Sequence, residues 1–185
     1  METRQSQKDK KLEMITNLDL ALIKFKIQQS KRNGGLGWSA KKTDQAEVWY
    51  KNFLVLLHLY PNKDIVPTVD IDEFWHYHIL DTRKYYEDCM AIFGNIVHHY
   101  PYLGLFGKKD EQKLQSKFNA TRKLYQKTFS EELVFSGDIR NMKVGAYCGG
   151  NTGSNCAARC QSAPKPVYCG GNTGSNCAGR CNRKS

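Results

Sequence analysis

The chain has 185 residues, 40% of them hydrophobic, which suits one packed domain with an appendage. Its net charge of +10 includes seven positive charges after Asp138, where Asp and Glu are absent, so the preceding part carries only about +3 (10 − 7). The sequence contains no run of roughly 18 apolar residues that could span a membrane, and the polar start METRQSQKDKKLE has no signal-peptide core. We therefore expect a cytoplasmic protein with reduced thiols.

Apolar residues recur at helical spacing in four stretches. In chain order we predict helices over residues 12–27, from Asp44 to Pro61, from Asp70 to Gly94, and over 108–133. Glycine and proline separate them, and Asp70 is the predicted N-cap of the third. With few strand signals and short loops, the sequence predicts an all-α fold, an antiparallel helical bundle over residues 10–135.

The stretch over residues 69–104 has the densest chemistry in the chain. It reads VDIDEFWHYHILDTRKYYEDC and then FGNIVHHYPYLG. This order resembles the conserved core of the glycine-rich domain proteins of plants and their bacterial glycine-rich domain-containing protein-like relatives. The residues that carry the resemblance are Asp70, Trp75, His76, His78, Asp81, Thr82, Tyr85 or Tyr86, Asp88, Cys89, Phe93, Gly94, His98 or His99, and Pro101.

The resemblance extends as a pattern over residues 12–133 and is sharp over 69–103. It implies an all-helical domain, and a short Gly/Cys-rich tail is common among these relatives. Plant members are linked to stress and hormone responses, and nucleic-acid binding has been suggested for some. The resemblance implies no particular reaction.

Four of the five histidines lie within 24 residues and form a candidate metal-binding or catalytic cluster. The cluster consists of His76, His78, His98, His99, Asp72 and Asp81. Helix geometry restricts it, because residues two apart point about 200° from each other and His76 and His78 cannot share one ion. Either Asp72 with His76, or His78 with Asp81 or Thr82, can be completed by a histidine from the following loop.

Two further interpretations of this cluster remain open. In a structural role, Trp75 and His78 pack inward, and the imidazole bonds to a buried Asp or a backbone carbonyl. In the second interpretation, the cluster performs acid–base catalysis without a metal. Cys89 lies on the apolar side of its helix and is expected to be an inert core thiol.

The C-terminal segment, residues 136–185, is a basic Cys/Gly-rich tail that we expect to be flexible unless it is crosslinked. It contains two nearly identical copies of one sequence motif, YCGGNTGSNCAARC over 147–160 and YCGGNTGSNCAGRC over 168–181. Each copy has the spacing Cys-x7-Cys-x3-Cys, and three thiols neither pair evenly nor complete a zinc site. Two copies supply six cysteines: Cys148, Cys156, Cys160, Cys169, Cys177 and Cys181.

Three interpretations of the repeat follow. The thiolates bind a soft metal, zinc first among the candidates. Alternatively, the copies are tandem peptides that are modified and released, or the tail is a plain interaction arm. The function expected from the sequence is a non-enzymatic binding or scaffold protein with a metal-binding tail. A metal-dependent enzyme using the histidine cluster is the alternative. Expected partners are another protein and, through the basic tail, nucleic acid, anionic lipid or an acidic protein.

Overall fold

The computed structural model describes residues 4–133, and these form six α-helices joined by loops. The helices are α1 (Arg4–Thr16), α2 (Ala21–Gln28), α3 (Ala40–Leu59), α4 (Val69–Leu80), α5 (Thr82–Phe93) and α6 (Lys108–Phe129). The described residues contain no strand, so the predicted all-α class is confirmed. The tail and the predicted domain boundary near residue 135 lie outside the described residues.

The first predicted helix is two helices, which corrects the prediction of one helix over residues 12–27. The chain leaves helical geometry after Thr16, and the Asp19 carboxylate accepts a hydrogen bond from the N–H of Ala21 at 3.0 Å, at the start of α2. The break changes which face is buried. In one continuous helix, Leu22 and Phe25 would continue the apolar stripe of Ile15 and face the core. Both are exposed instead, and the buried residues of α2 and its N-cap are Leu20, Ile23 and Ile27.

Helix α3 is central to the bundle and contacts α1, α2, α4 and α6. It begins at Ala40, earlier than predicted, because the Ser39 hydroxyl caps it by accepting from the N–H of Lys42 at 3.3 Å. Its apolar face supplies Tyr50 and Phe53, both buried, and Tyr50 stacks against Phe74 of α4 with ring centroids 5.1 Å apart. The core is therefore rich in aromatic side chains.

The third predicted helix is also two helices, because the chain turns at Asp81. The carboxylate of Asp81 caps α5 by accepting from the N–H of Lys84 at 3.3 Å. The predicted N-cap, Asp70, is wrong by two residues. Thr68 caps α4, while Asp70 is buried inside the first turn and pairs with Lys42 at 2.9 Å.

Helix α6 confirms its predicted apolar stripe, since Phe118, Thr121 and Tyr125 are all buried. It ends at Phe129, four residues before the predicted end, because Ser130 adopts a left-handed conformation with φ 57°. The Tyr125 hydroxyl accepts from the side-chain amide of Asn52 at 2.7 Å, which ties α6 to α3. Within residues 4–133, no helix combines the length and the apolar character needed to cross a bilayer.

Candidate metal centre

Helix α4 presents its two histidines to different surroundings, as the predicted 200° separation requires. His76 is part of a half-exposed cluster with Asp72 and His99, whereas His78 is buried in the core. The sequence left two ligand sets open. The structure brings together the set of Asp72 and His76, with His99 from the loop after α5 as the third member.

His78 has the structural role that the sequence offered as an alternative. Its side chain is 2% exposed and is hydrogen-bonded at both nitrogens, Nδ1 to the Tyr50 hydroxyl at 2.7 Å and Nε2 to the Asp88 carboxylate at 2.9 Å. Lys84 pairs with the same carboxylate oxygen at 3.0 Å. These contacts join α3, α4 and α5 through one imidazole.

Burial sets the protonation states of this buried network. Burial lowers the pKa of His78, and the nearby carboxylate of Asp88 opposes that shift. Burial also raises the pKa of Tyr50 well above its ordinary value of 10. The neutral imidazole therefore donates a hydrogen bond from its Nε2–H to the Asp88 carboxylate, which can only accept, and accepts one at Nδ1 from the Tyr50 hydroxyl.

This network gives the fold a pH-dependent stability. Since the folded-state pKa of His78 is lowered, the unfolded chain binds more protons below about pH 6.5. The free energy of unfolding should therefore be highest near pH 8 and fall as the pH drops through about 6.5 toward 5.5. Burial also lowers the pKa of His58, with Lys11 and Lys8 adding to the effect, so His58 acts in the same direction. Urea titrations at several pH values test this, and a constant or rising stability at pH 5.5 would contradict it.

The three members of the half-exposed cluster converge on a small volume. His99 Nε2 lies 2.7 Å from Asp72 Oδ1 and 3.2 Å from His76 Nε2, and His76 Nε2 lies 3.6 Å from Asp72 Oδ2. The side chains of Asp72 and His76 are 35% and 42% exposed, and that of His99 is 14% exposed. Solvent thus reaches one side of the cluster while His99 closes the other.

Hydrogen bonds among the three side chains of this cluster cannot satisfy every close contact. His99 Nε2 approaches both a carboxylate oxygen and a second imidazole nitrogen, but a ring nitrogen either carries one proton or offers one lone pair. If it donates to Asp72, it cannot also accept from His76. A cation at the centre would instead receive a lone pair from all three groups.

The loop that carries His99 is held against the bundle by buried aromatic residues. The Tyr85 hydroxyl donates to the carbonyl of Val97 and accepts from Trp75 Nε1 at 3.0 Å. The Trp75 ring in turn packs against the His99 ring, with centroids 4.6 Å apart. Helix α4 therefore supplies two members of the cluster, Asp72 and His76, and also Trp75, which supports the third.

The remaining predicted residues lie apart from this cluster. His98 is exposed and Asp81 caps α5, so neither belongs to the converging group. Cys89 is a free thiol, 3% exposed, as expected for an inert core residue. The sequence missed Tyr50 as the partner of His78, since a hydroxyl 28 positions away leaves no local pattern. The six tail cysteines lie outside the described residues.

The fold and the cluster together define this protein as a helical domain that carries a His/Asp cluster at its surface. Residues 39–88 match the family model described as glycine-rich domain-containing protein-like, which confirms the resemblance inferred from the sequence. The matched region includes Asp72 and His76 but ends before His99. No solved structure gives a significant match.

A curated relative is also similar to the chain. It is the Glycine-rich domain-containing protein 1 of Arabidopsis thaliana, 26% identical over 151 residues. The alignment covers 75% of this chain but 18% of the relative, so the chain spans less than a fifth of that protein's length. Most of the length of the plant protein therefore lies outside the alignment.

Proposed function

We propose that the helical domain binds one divalent transition metal ion, zinc in the first place, through Asp72, His76 and His99. The observation that carries the proposal is the convergence of two imidazole nitrogens on one carboxylate. His99 Nε2 lies 2.7 Å from Asp72 Oδ1, His76 Nε2 lies 3.6 Å from Asp72 Oδ2, and the two nitrogens are 3.2 Å apart. In a tetrahedral zinc site with bonds of about 2.0–2.1 Å, ligand atoms lie about 3.3 Å apart. The cluster therefore needs only small side-chain adjustments to surround an ion.

The donor types favour zinc over calcium or magnesium. Two imidazole nitrogens and one carboxylate oxygen suit zinc, copper, iron or nickel, whereas calcium and magnesium prefer all-oxygen sites. Helix geometry supports the site, since Asp72 and His76 are four residues apart and so lie on one face of α4. Packing of His99 against Trp75 orients the third ligand before any ion arrives.

A metal-dependent enzyme is the second candidate, and the solvent access of the cluster favours it. Three protein ligands leave a fourth tetrahedral position, and the half-exposed Asp72 and His76 leave the site open to water. Catalytic zinc sites have this form, and zinc lowers the pKa of a bound water to about 7. A purely structural site would require a fourth ligand from the protein.

The repeated tail supports a second metal-binding proposal, which rests on the sequence alone. Its six cysteines supply soft thiolate ligands, and basic residues beside each trio would lower the thiol pKa values. In this proposal the protein is a scaffold with a thiolate site on the tail and a nitrogen and oxygen site on the helical domain. A protein partner or nucleic acid bound through the basic tail remains part of the same proposal.

Zinc stoichiometry in four full-length proteins tests both proposals separately. The proteins are the parent chain, a tail-serine variant with all six tail cysteines replaced by serine, the double variant His76→Ala and His99→Ala, and the combination of both changes. After incubation with zinc and gel filtration, the tail-serine variant should retain one equivalent and the combined variant none. If the tail-serine and combined variants retain equal zinc, the His/Asp site is wrong. If the parent holds no more zinc than the tail-serine variant, the thiolate site is wrong.

A further inference from the structure

The loop after His99 exposes a dense group of large apolar side chains. We call residues 100–107, with the sequence YPYLGLFG, the aromatic loop. The exposed fractions of its large residues are 65% for Tyr100, 53% for Tyr102, 47% for Leu105 and 72% for Phe106. Four such residues within seven positions are unusual for a surface that faces only water.

The aromatic loop is held in this conformation by hydrogen bonds and packing. The carboxylate of Asp110 in α6 accepts from the backbone N–H of Gly104 at 2.6 Å and from that of Phe106 at 3.3 Å. Gly104 has φ 91°, and a Cβ at this position would lie 2.7 Å from a methyl carbon of Leu114. The loop backbone is thus fixed against α6 while its large side chains point outward. An ordered loop loses little further conformational entropy when its side chains are buried by a partner.

Positive charge adjoins the aromatic loop. Lys108 and Lys109 follow it directly and are exposed, and Lys113 is exposed one turn further along α6. Between Asp88 and Asp110 the sequence contains no acidic residue. Within α6, Asp110 binds the loop backbone and Glu111 is exposed, so residues 108–113 carry a formal charge of +1 (3 − 2). The exposed apolar side chains of the aromatic loop and the adjacent lysines together complement a surface that has an apolar interior and an anionic exterior.

We propose that the aromatic loop inserts into the interface of an anionic membrane. Tyrosine is enriched at the level of the lipid headgroups, phenylalanine and leucine reach the acyl boundary, and lysines pair with anionic headgroups. The four exposed side chains offer only about 400 Å² of apolar surface, as estimated from typical aromatic areas. A stable protein interface buries about 800 Å² on each partner, so the tip alone is too small for one and suits shallow insertion. The proposal is independent of metal binding.

Cosedimentation of the full chain with vesicles tests this proposal. Vesicles contain phosphatidylcholine alone or with about 30% phosphatidylserine, a content that gives a negative surface potential. The double variant Leu105→Ser and Phe106→Ser should lower partitioning onto anionic vesicles at least about tenfold. The matched control is Leu22→Ser with Phe25→Ser, which removes an exposed pair of the same residue types from α2 and should leave partitioning unchanged. Circular dichroism confirms that both variants fold.

A second measurement distinguishes insertion from charge attraction by the tail. In a Phe106→Trp variant, brominated lipids should quench the fluorescence of the new tryptophan far more than that of the parent tryptophans. Equal vesicle binding by the loop variant and the parent would overturn the proposal, because the basic tail would then account for the binding. Absence of binding by the parent, or a loop variant that alters only self-association in sedimentation velocity, would overturn it as well.

Discussion

Replacing His99 with alanine should weaken zinc binding by the tail-serine variant at least about 100-fold, because it removes one of three ligands and leaves two. His99 is also the least exposed member of the cluster, and its Nε2 lies within hydrogen-bonding distance of both other members. The affinity is measured by competition with a chromophoric chelator. Far-UV circular dichroism checks that the variant retains its helices.

The adjacent histidine provides a matched control for this prediction. His98 directly precedes His99 in the sequence, but it is exposed and lies outside the converging group. His98→Ala should therefore change zinc affinity by less than about twofold, within the scatter of single contacts. Equal losses in the two variants would mean that zinc binds the loop histidines nonspecifically, and a loss only in His98→Ala would refute the assignment of ligands.

Replacing His78 with alanine should lower the free energy of unfolding by about 3 kcal/mol. The change leaves a cavity between three helices and removes the hydrogen-bond partner of the fully buried Tyr50 hydroxyl. It also deprives the Asp88 carboxylate of one of its two partners, although Lys84 remains. Equilibrium denaturation in urea at pH 8 measures the loss.

His76→Ala is the matched control for stability, since it lies two residues away on the same helix. Its side chain is 42% exposed and contacts Asp72 and His99 at the surface, so the free energy of unfolding should change by about 0.5 kcal/mol or less. The pair of variants thus separates two roles on one helix. If His76→Ala proved as destabilising as His78→Ala, the surface cluster would be part of the structural framework.

The sequence predicted the helical class because its apolar spacing is strong over most of the chain. It also predicted that His76 and His78 diverge, since helix geometry alone requires this. The break after Thr16 was missed because Leu22 and Phe25 continue the spacing of Ile15, and periodicity cannot reveal that the chain turns and exposes another face. Asp81 was missed as a break for the same reason, since its capping role depends on a local turn.

The candidate site was only half specified by the sequence. Spacing placed Asp72 and His76 on one face, but it could not choose between His98 and His99. That choice depends on the path of the loop, which Tyr85 fixes by donating to the carbonyl of Val97. Such a contact joins residues 12 positions apart through a hydroxyl and a backbone carbonyl, so it leaves no recognisable sequence pattern. The packing of Trp75 against His99 likewise could not be predicted from the sequence.

X-ray absorption at the zinc edge of the zinc-loaded tail-serine variant tests the central claim most directly. The account predicts a first shell of nitrogen and oxygen at about 2.0–2.1 Å, with the outer-shell scattering of two imidazole rings. The same protein carrying His76→Ala and His99→Ala should give no protein-bound zinc signal. A shell containing sulfur at about 2.3 Å, or one without imidazole scattering, would contradict the assignment of Asp72, His76 and His99 as the metal centre.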